Sequence, residues 1–267
     1  MPSNTATGLN GIRVLVTRPA RQAQALCNAI EASGGEILRL PVIEIGDPSD
    51  IRPALKIIDK LDSFAIAIFI SANAVEMAQA LITAHGAWPA TLKIAAVGKR
   101  TAAALQHLGK HVDLMPQHGS DSEALLSLAG LQDVAGKNIV IFRGEGGREL
   151  LADTLRQRGA YVEYAEVYRR MKPDVDVSAI QQAGEAGEIH IITVTSNESL
   201  HNLCAMTGDR GRHWLYKTPL VVISQRTAEL ARETGFKIVI IAKHASDEGL
   251  VDAIKEWYAI HHTTIKQ

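Results

Sequence analysis

The second half of the sequence repeats the first at a shift of 125 or 126 positions, which implies a quasi-symmetric pair of domains built on one plan. At the shorter shift Arg18 answers to Arg143, Gly34 to Gly159, Pro48 to Pro173 and Ser71 to Ser196. At the longer one Gly98-Lys99-Arg100-Thr101 answers to Ser224-Gln225-Arg226-Thr227, and Gly109 to Gly235. His118-Gly119-Ser120-Asp121 likewise answers to His244-Ala245-Ser246-Asp247. The cleft between two such domains is the natural place for a ligand. A length of 267 residues agrees with two domains at ~100–200 residues each.

Short β-branched runs alternate with amphipathic stretches of helical length. The first copy offers strands at Ile12–Thr17, Glu36–Pro41, Phe64–Ile70, Leu92–Val97 and His111–Met115. The second offers Asn138–Arg143, Tyr161–Val167, Ile189–Thr195, Pro219–Ser224 and Phe236–Ala242. Most are nearly continuous apolar runs, as strands covered on both faces of a parallel sheet require. Ala20–Ser33, Asn73–His85 and Thr101–Leu108 carry apolar residues at three- and four-residue steps, the helical period. Pro19 is placed to open a helix, Ser120 and Glu123 have capping-box spacing, and Gly34, Gly109, Gly159 and Gly235 follow helix ends. The expected fold is α/β, with two flavodoxin-like doubly wound parallel sheets. A single eight-stranded barrel fits the ten strands and the halfway repeat less well. Two segments run on extended beyond their strands, Leu40 to Pro48 and Ala165 to Pro173, each stopped by a proline. Such overruns are able to pair as a two-stranded connector, although periodicity alone does not show it.

The bulk properties narrow the partners. A net charge of −1 and an aromatic content of 4% give neither the field nor the stacking platforms of a nucleic-acid binder. No apolar run approaches the ~18 residues that span a bilayer, and Met1 to Leu9 lacks the basic-then-apolar order of a signal peptide. Cys27 and Cys204 occupy non-matching positions in the two copies and read as small hydrophobes, without disulfide or zinc spacing. A reducing cytoplasm is the expected compartment, and a monomer the expected state.

In open parallel sheets ligands bind beyond the carboxyl ends of the strands, where helix starts present free N–H groups to anions. The corresponding turns here are Thr17-Arg18, Ser71-Ala72-Asn73, Lys99-Arg100-Thr101, Arg143 to Arg148, Thr195-Ser196-Asn197 and Gln225-Arg226-Thr227. Any one of them is commonly no more than an N-cap. Matching sets in both copies point instead to a ligand with several carboxylates or phosphates. The run Gly144-Glu145-Gly146-Gly147 has neither Walker nor dinucleotide spacing, and is either a close approach to ligand or a flexible turn. No serine elbow, His-Glu-x-x-His or other metal spacing occurs among the ten histidines. His118 and His244 stand just before helix starts, and His261 and His262 fall in a tail expected to lack order.

Taken in order along the chain, these residues resemble the uroporphyrinogen-III synthase family over roughly 12–258. The resemblance is carried by Val14 to Pro19, Leu40 to Glu44, Phe69 to Val75 and Ala96 to Ala102. Arg143 to Arg148, Val167-Tyr168-Arg169, Thr195-Ser196-Asn197 and Ser246 to Leu250 complete it in the second half. It implies one domain of 1–41 with 172–267 and another of 42–171, joined by linker strands near 40–46 and 165–171. It also implies cyclisation of hydroxymethylbilane to uroporphyrinogen III, with loss of water, inversion of ring D, and neither cofactor nor metal. Tyr168 matches the tyrosine of the family's Val-Tyr motif and is the candidate proton donor to the departing hydroxyl, although such an aromatic also simply packs. Arg18, Ser71, Asn73, Lys99, Thr101, Arg143, Arg148, Ser196, Asn197 and Thr227 are the candidate carboxylate binders. A transient contact with the deaminase that makes the substrate is compatible with this reading. The competing readings are a non-enzymatic, two-lobed cytoplasmic sensor of a polyanionic small molecule, and a cyclase-like domain retained as a regulator.

Overall fold

The computed structural model describes residues 8–262, so the polar stretch before Gly8 and the outer ends of the longer implied domain lie outside the described residues. Its ten strands divide into two separate five-stranded sheets rather than one barrel. By internal contacts the chain forms two units, one joining the segment up to Glu44 with that from Met171, the other Ile45–Arg170.

In the first unit the strands are β1 (Arg13–Val16), β2 (Glu36–Arg39), β8 (Ile191–Val194), β9 (Leu220–Val222) and β10 (Val239–Ile241), in the order β2-β1-β8-β9-β10. All four pairings are parallel. Val14, Val16, Ile191 and Val221 face a core shared with α1 (Gln24–Ala32) and α10 (Asp247–His262). Leu15, Ile192 and Val222 point the other way and are just as buried. That double cover explains why the strands read as unbroken apolar runs.

The second unit orders β3 (Glu44–Gly46), β7 (Tyr161–Met171), β6 (Asn138–Gly144), β4 (Ile66–Phe69) and β5 (Lys93–Ala96) as β3-β7-β6-β4-β5. One face, with Ala67, Phe69, Val140 and Phe142, is covered by α2 (Arg52–Ile58), α3 (Ala72–His85) and α4 (Lys99–His107). The opposite face, with Ile66, Ile68, Ile139 and Ile141, lies under α5 (Ser122–Leu126) and α6 (Leu150–Gln157). In each unit, then, two strands from one copy of the repeat pair with strands from the other copy. β1 and β2 join β8 to β10, while β6 and β7 join β4 and β5.

Four local expectations change. His111–Met115 is not a strand but a single bridge from Leu114 to Ala95, because the Asp113 carboxylate takes the Ile94 N–H at 2.7 Å. The cap of α5 is Asp121, extended at φ −135° and accepting from the Ala124 N–H at 2.8 Å, not Ser120. Glu123 is turned outward to pair with Arg148 instead of closing a capping box. Finally, His261 and His262 belong to α10, and the His261 ring stacks on Trp257 with centroids 4.7 Å apart. The glycines after helix ends, Gly34, Gly109, Gly159 and Gly235, all have positive φ as expected.

Candidate active-site turns

β7 carries one residue more than its partner. Arg143 pairs with Glu166, but Gly144 pairs with Tyr168, so Val167 is the extra residue of a bulge. Strict alternation would put Tyr168 on the same face as Tyr164 and Glu166. The bulge places Val167 and Tyr168 together on the face covered by α3, while Tyr164 packs on the other.

There the Tyr168 hydroxyl meets the Ser71 hydroxyl at 3.1 Å. Ser71 is the extended N-cap of α3, and its oxygen also accepts from the Ala74 N–H at 3.1 Å. The tyrosine is 5% exposed, and its ring lies against Gly144 so closely that a Cβ there would stand 2.7 Å from Cε2 and Cζ. Two residues named from sequence 97 positions apart are thus joined by one hydrogen bond at a helix start. Asn73 lies in the first turn of the same helix, half-buried. Lys99 opens α4 and is exposed, whereas Thr101, two residues on, is buried.

Arg143 has a different environment. Its side chain is 8% exposed; Nε and Nη2 donate to Glu166 at 3.1 and 3.0 Å, and Nη1 to Glu149 at 2.9 Å. The guanidinium stacks 3.6 Å from the centre of the Tyr164 ring, whose hydroxyl donates to Glu149 at 2.6 Å. Burial works against the Arg143 charge, but the two carboxylates outweigh it and raise its pKa. Burial and the bond to Glu149 push Tyr164 up to about 12, while the Tyr164 and Arg143 bonds hold Glu149 below the usual carboxylate range. Arg148 is exposed and reaches Glu123 at 3.0 Å.

The first unit repeats the theme with other partners. Arg18, also buried, pairs with Asp247 at the start of α10, and the Thr17 hydroxyl donates to the Thr193 carbonyl at 2.7 Å. Ser196 caps α8 (Asn197–Leu215), which follows α7 (Ser178–Glu185) in the chain, by accepting from the Ser199 N–H at 3.0 Å. Ser224 caps α9 (Gln225–Thr234) by accepting from the Thr227 N–H at 3.2 Å. The Thr227 hydroxyl, buried, donates to Asn197 Oδ1 at 2.8 Å and lies 2.8 Å from Ser224 Oγ. Its one proton is therefore used in orienting Asn197. Sequence reasoning passes over Tyr164, Glu149 and Glu166 as functional residues. The placing of Tyr164 and Glu166 two residues apart, hence on one face of a strand, is the available signal. Among the described residues no three His, Cys, Asp or Glu gather as a metal ion would need, and no helix is long and apolar enough to cross a membrane.

Comparison with known proteins agrees along nearly the whole chain. The family model described as uroporphyrinogen-III synthase HemD matches residues 24–252. The uroporphyrinogen-III synthase of Escherichia coli (strain K12) is 34% identical over 244 residues, covering 91% of this chain and 99% of that protein. That of Synechococcus elongatus is 30% identical over 260 residues, covering 93% and 96%. Two solved structures superpose at a TM-score of 0.60 and 17% identity, a likeness of fold alone. One is a mutant uroporphyrinogen III synthase from the extremely thermophilic bacterium Thermus thermophilus, covering 94% of this chain and 99% of its own. The other is uroporphyrinogen-III synthetase from Helicobacter pylori 26695, covering 92% and 99%.

Proposed function

This chain belongs to the uroporphyrinogen-III synthase family, the cyclising lyase of tetrapyrrole biosynthesis, and from that premise we propose how its residues carry the reaction. The substrate is linear hydroxymethylbilane and the product uroporphyrinogen III. Electron donation from a pyrrole nitrogen expels the terminal hydroxyl as water and leaves an azafulvene electrophile. Attack by the substituted carbon of ring D gives a spiro intermediate; its older methylene bond then breaks and re-forms at the free carbon, which loses its proton, and ring D is left inverted. Direct attack by the free carbon gives the type I isomer. Both routes are chemically open, so the protein's task is orientation.

Tyr168 is the proton donor to the departing hydroxyl in this proposal, and the observation that carries it is its 3.1 Å contact with Ser71. Ser71 already accepts from the Ala74 N–H, which leaves its own proton free to point at the phenolic oxygen. The phenolic proton is then free for the substrate, and the start of α3 stabilises negative charge as it develops. Asn73, Lys99, Arg148, Ser196 and Asn197 hold substrate carboxylates together with helix-start N–H groups, while Ser71 serves through its bond to Tyr168. Thr101 and Thr227, buried, position their neighbours, as do Arg18 and Arg143, whose charges are met by protein carboxylates.

The test is to supply freshly generated hydroxymethylbilane, oxidise the products and separate the porphyrin isomers. Type III must dominate; a sensor would leave type I. Tyr168→Phe is expected to slow cyclisation severalfold or more with the fold retained, and an unchanged rate removes Tyr168 from the mechanism.

The finer architecture belongs to the same proposal: flavodoxin-like domains of 1–41 with 172–267 and of 42–171, with strands near 40–46 and 165–171 as a two-stranded linker. The adjacency of β3 and β7 supports it. Amides of Glu44–Gly46 exchanging with solvent as fast as open loops would count against it. A monomer that makes transient contact with the preceding deaminase completes the proposal, and sedimentation alone and with that deaminase tests both points.

A further inference from the structure

The loop from Gly144 to Arg148 has almost no side chains of its own with which to keep a shape. Gly146 and Gly147 sit at φ 71° and 112°, where a side chain is strained, and nothing lies within 4 Å of where either Cβ would be. Its ends are tethered. The Glu145 N–H donates to the Tyr168 carbonyl at 2.8 Å, and the Glu145 carboxylate accepts from the Ser49 N–H and, at 3.1 Å, from the Ser49 hydroxyl. Arg148 is held by Glu123. Between those ends Oε1 of Glu166 accepts from the Gly146 N–H at 3.3 Å.

The same oxygen takes both Arg143 bonds, at 3.1 and 3.0 Å. One carboxylate oxygen therefore fixes the last charged residue of β6 and the middle of the loop that follows it. Arg143 is fixed in turn by the Tyr164 ring and by Glu149, the residue just before α6. The loop's start is Gly144, on which the Tyr168 ring rests.

We propose that Glu166 is a positioning residue for isomer control: through Arg143 and the Gly146 N–H it sets the shape of the 144–148 loop beside Tyr168. This rests on the reading of Tyr168 as the reacting tyrosine. Glu166 touches no reacting atom; it holds the loop so that the bilane presents the substituted carbon of ring D. Meeting the Arg143 charge has a second consequence. A free guanidinium at the base of the loop would compete with the helix starts for a substrate carboxylate and anchor the bilane in the wrong place.

The test uses the full-length enzyme with freshly generated hydroxymethylbilane at rising enzyme concentration. Type I formed in free solution disappears as enzyme saturates the substrate, while type I formed on a misdirecting enzyme persists. Glu166→Gln keeps the shape of the side chain and loses its charge. It is expected to show a persistent type I fraction and a kcat lowered roughly tenfold, with KM within roughly twofold of wild type. A role in stability alone would lower the folded fraction and leave the isomer ratio at saturation unchanged. Gly146→Ala provides a second variant that leaves Arg143 and Glu166 intact and strains only an exposed loop position. It is expected to show the same persistent type I. If both variants give only type III at saturation with wild-type kcat, the inference is overturned. If wild type itself yields type I, the failure lies in the functional reading on which the inference rests.

Discussion

Replacing Gly144 by alanine separates a packed tyrosine from a loosely held one by the sign of the stability change. Gly144 lies in β6 without a positive φ, so alanine meets no backbone strain there. With room to spare, the substitution would stabilise by about 0.4–1 kcal/mol, by restricting the unfolded chain. The new Cβ would instead lie 2.7 Å from Cε2 and Cζ of Tyr168 and 3.2 Å from Cδ2. Ordinary carbon contacts are ~3.5–4.0 Å, so the ring must retreat by about 1 Å. It is 5% exposed in a core shared with Phe69 and Phe142, and overpacking of that kind costs about 1–3 kcal/mol. Because Cζ carries the hydroxyl, the retreat also breaks the 3.1 Å contact with Ser71, at a further cost of about 1 kcal/mol. The expected loss is about 2–4 kcal/mol, seen in urea as a lower midpoint with unchanged slope. Cyclisation should fall to about the rate of Tyr168→Phe. In a Tyr168→Leu background, where the ring is gone, the same substitution should cost less than about 1 kcal/mol. A Gly144→Ala protein as stable as wild type, or more so, would refute the reasoning.

Thr227→Ala strips the buried partner of Asn197 and Ser224, and is expected to cost about 1–3 kcal/mol and to weaken substrate binding modestly. Complete loss of activity in a folded protein would contradict a distributed grip. The Tyr164 and Glu149 shifts bracket a pH range. Tyr164 is raised on folding to about 12, so its contribution is whole below its unfolded value near 10 and is lost as pH climbs towards 12. Glu149 is depressed, so its contribution is present above its unfolded value and fades as pH falls through the folded one. Thermal melts across pH should therefore sag at both ends, and Tyr164→Phe should flatten the alkaline limb; an unaltered limb would dismiss the buried Tyr164 phenol as its source.

How much of the molecule is legible in its sequence follows from what each kind of signal encodes. Runs such as Ile66–Phe69, buried on both faces, announce a doubly covered parallel strand through composition alone. Helix starts at Ser71, Ser196 and Ser224 are legible because a cap is a local bond between a side chain and the N–H three residues on. Arg143 reads as a free cation because its two carboxylates stand 6 and 23 residues away, and only strand pairing brings Glu166 opposite. The exchange of strands between repeats leaves no trace in periodicity either. It enters through family resemblance, since hydrophobic pattern says that a strand is buried but not beside whom. His111–Met115 misleads because its apolar residues satisfy the pattern while Asp113 takes the ladder's donor.

The spare residue in β7 gives that strand a tolerance that buried strands seldom have. Losing Val167 would let Glu166 and Tyr168 take the register they already occupy opposite Arg143 and Gly144, so no side chain on either side would change its outlook. Losing Ala165, two positions earlier, would turn inside out whatever stretch stayed in frame with β6. A change of one codon in the right place would thus shorten the chain while leaving its chemistry facing the same way.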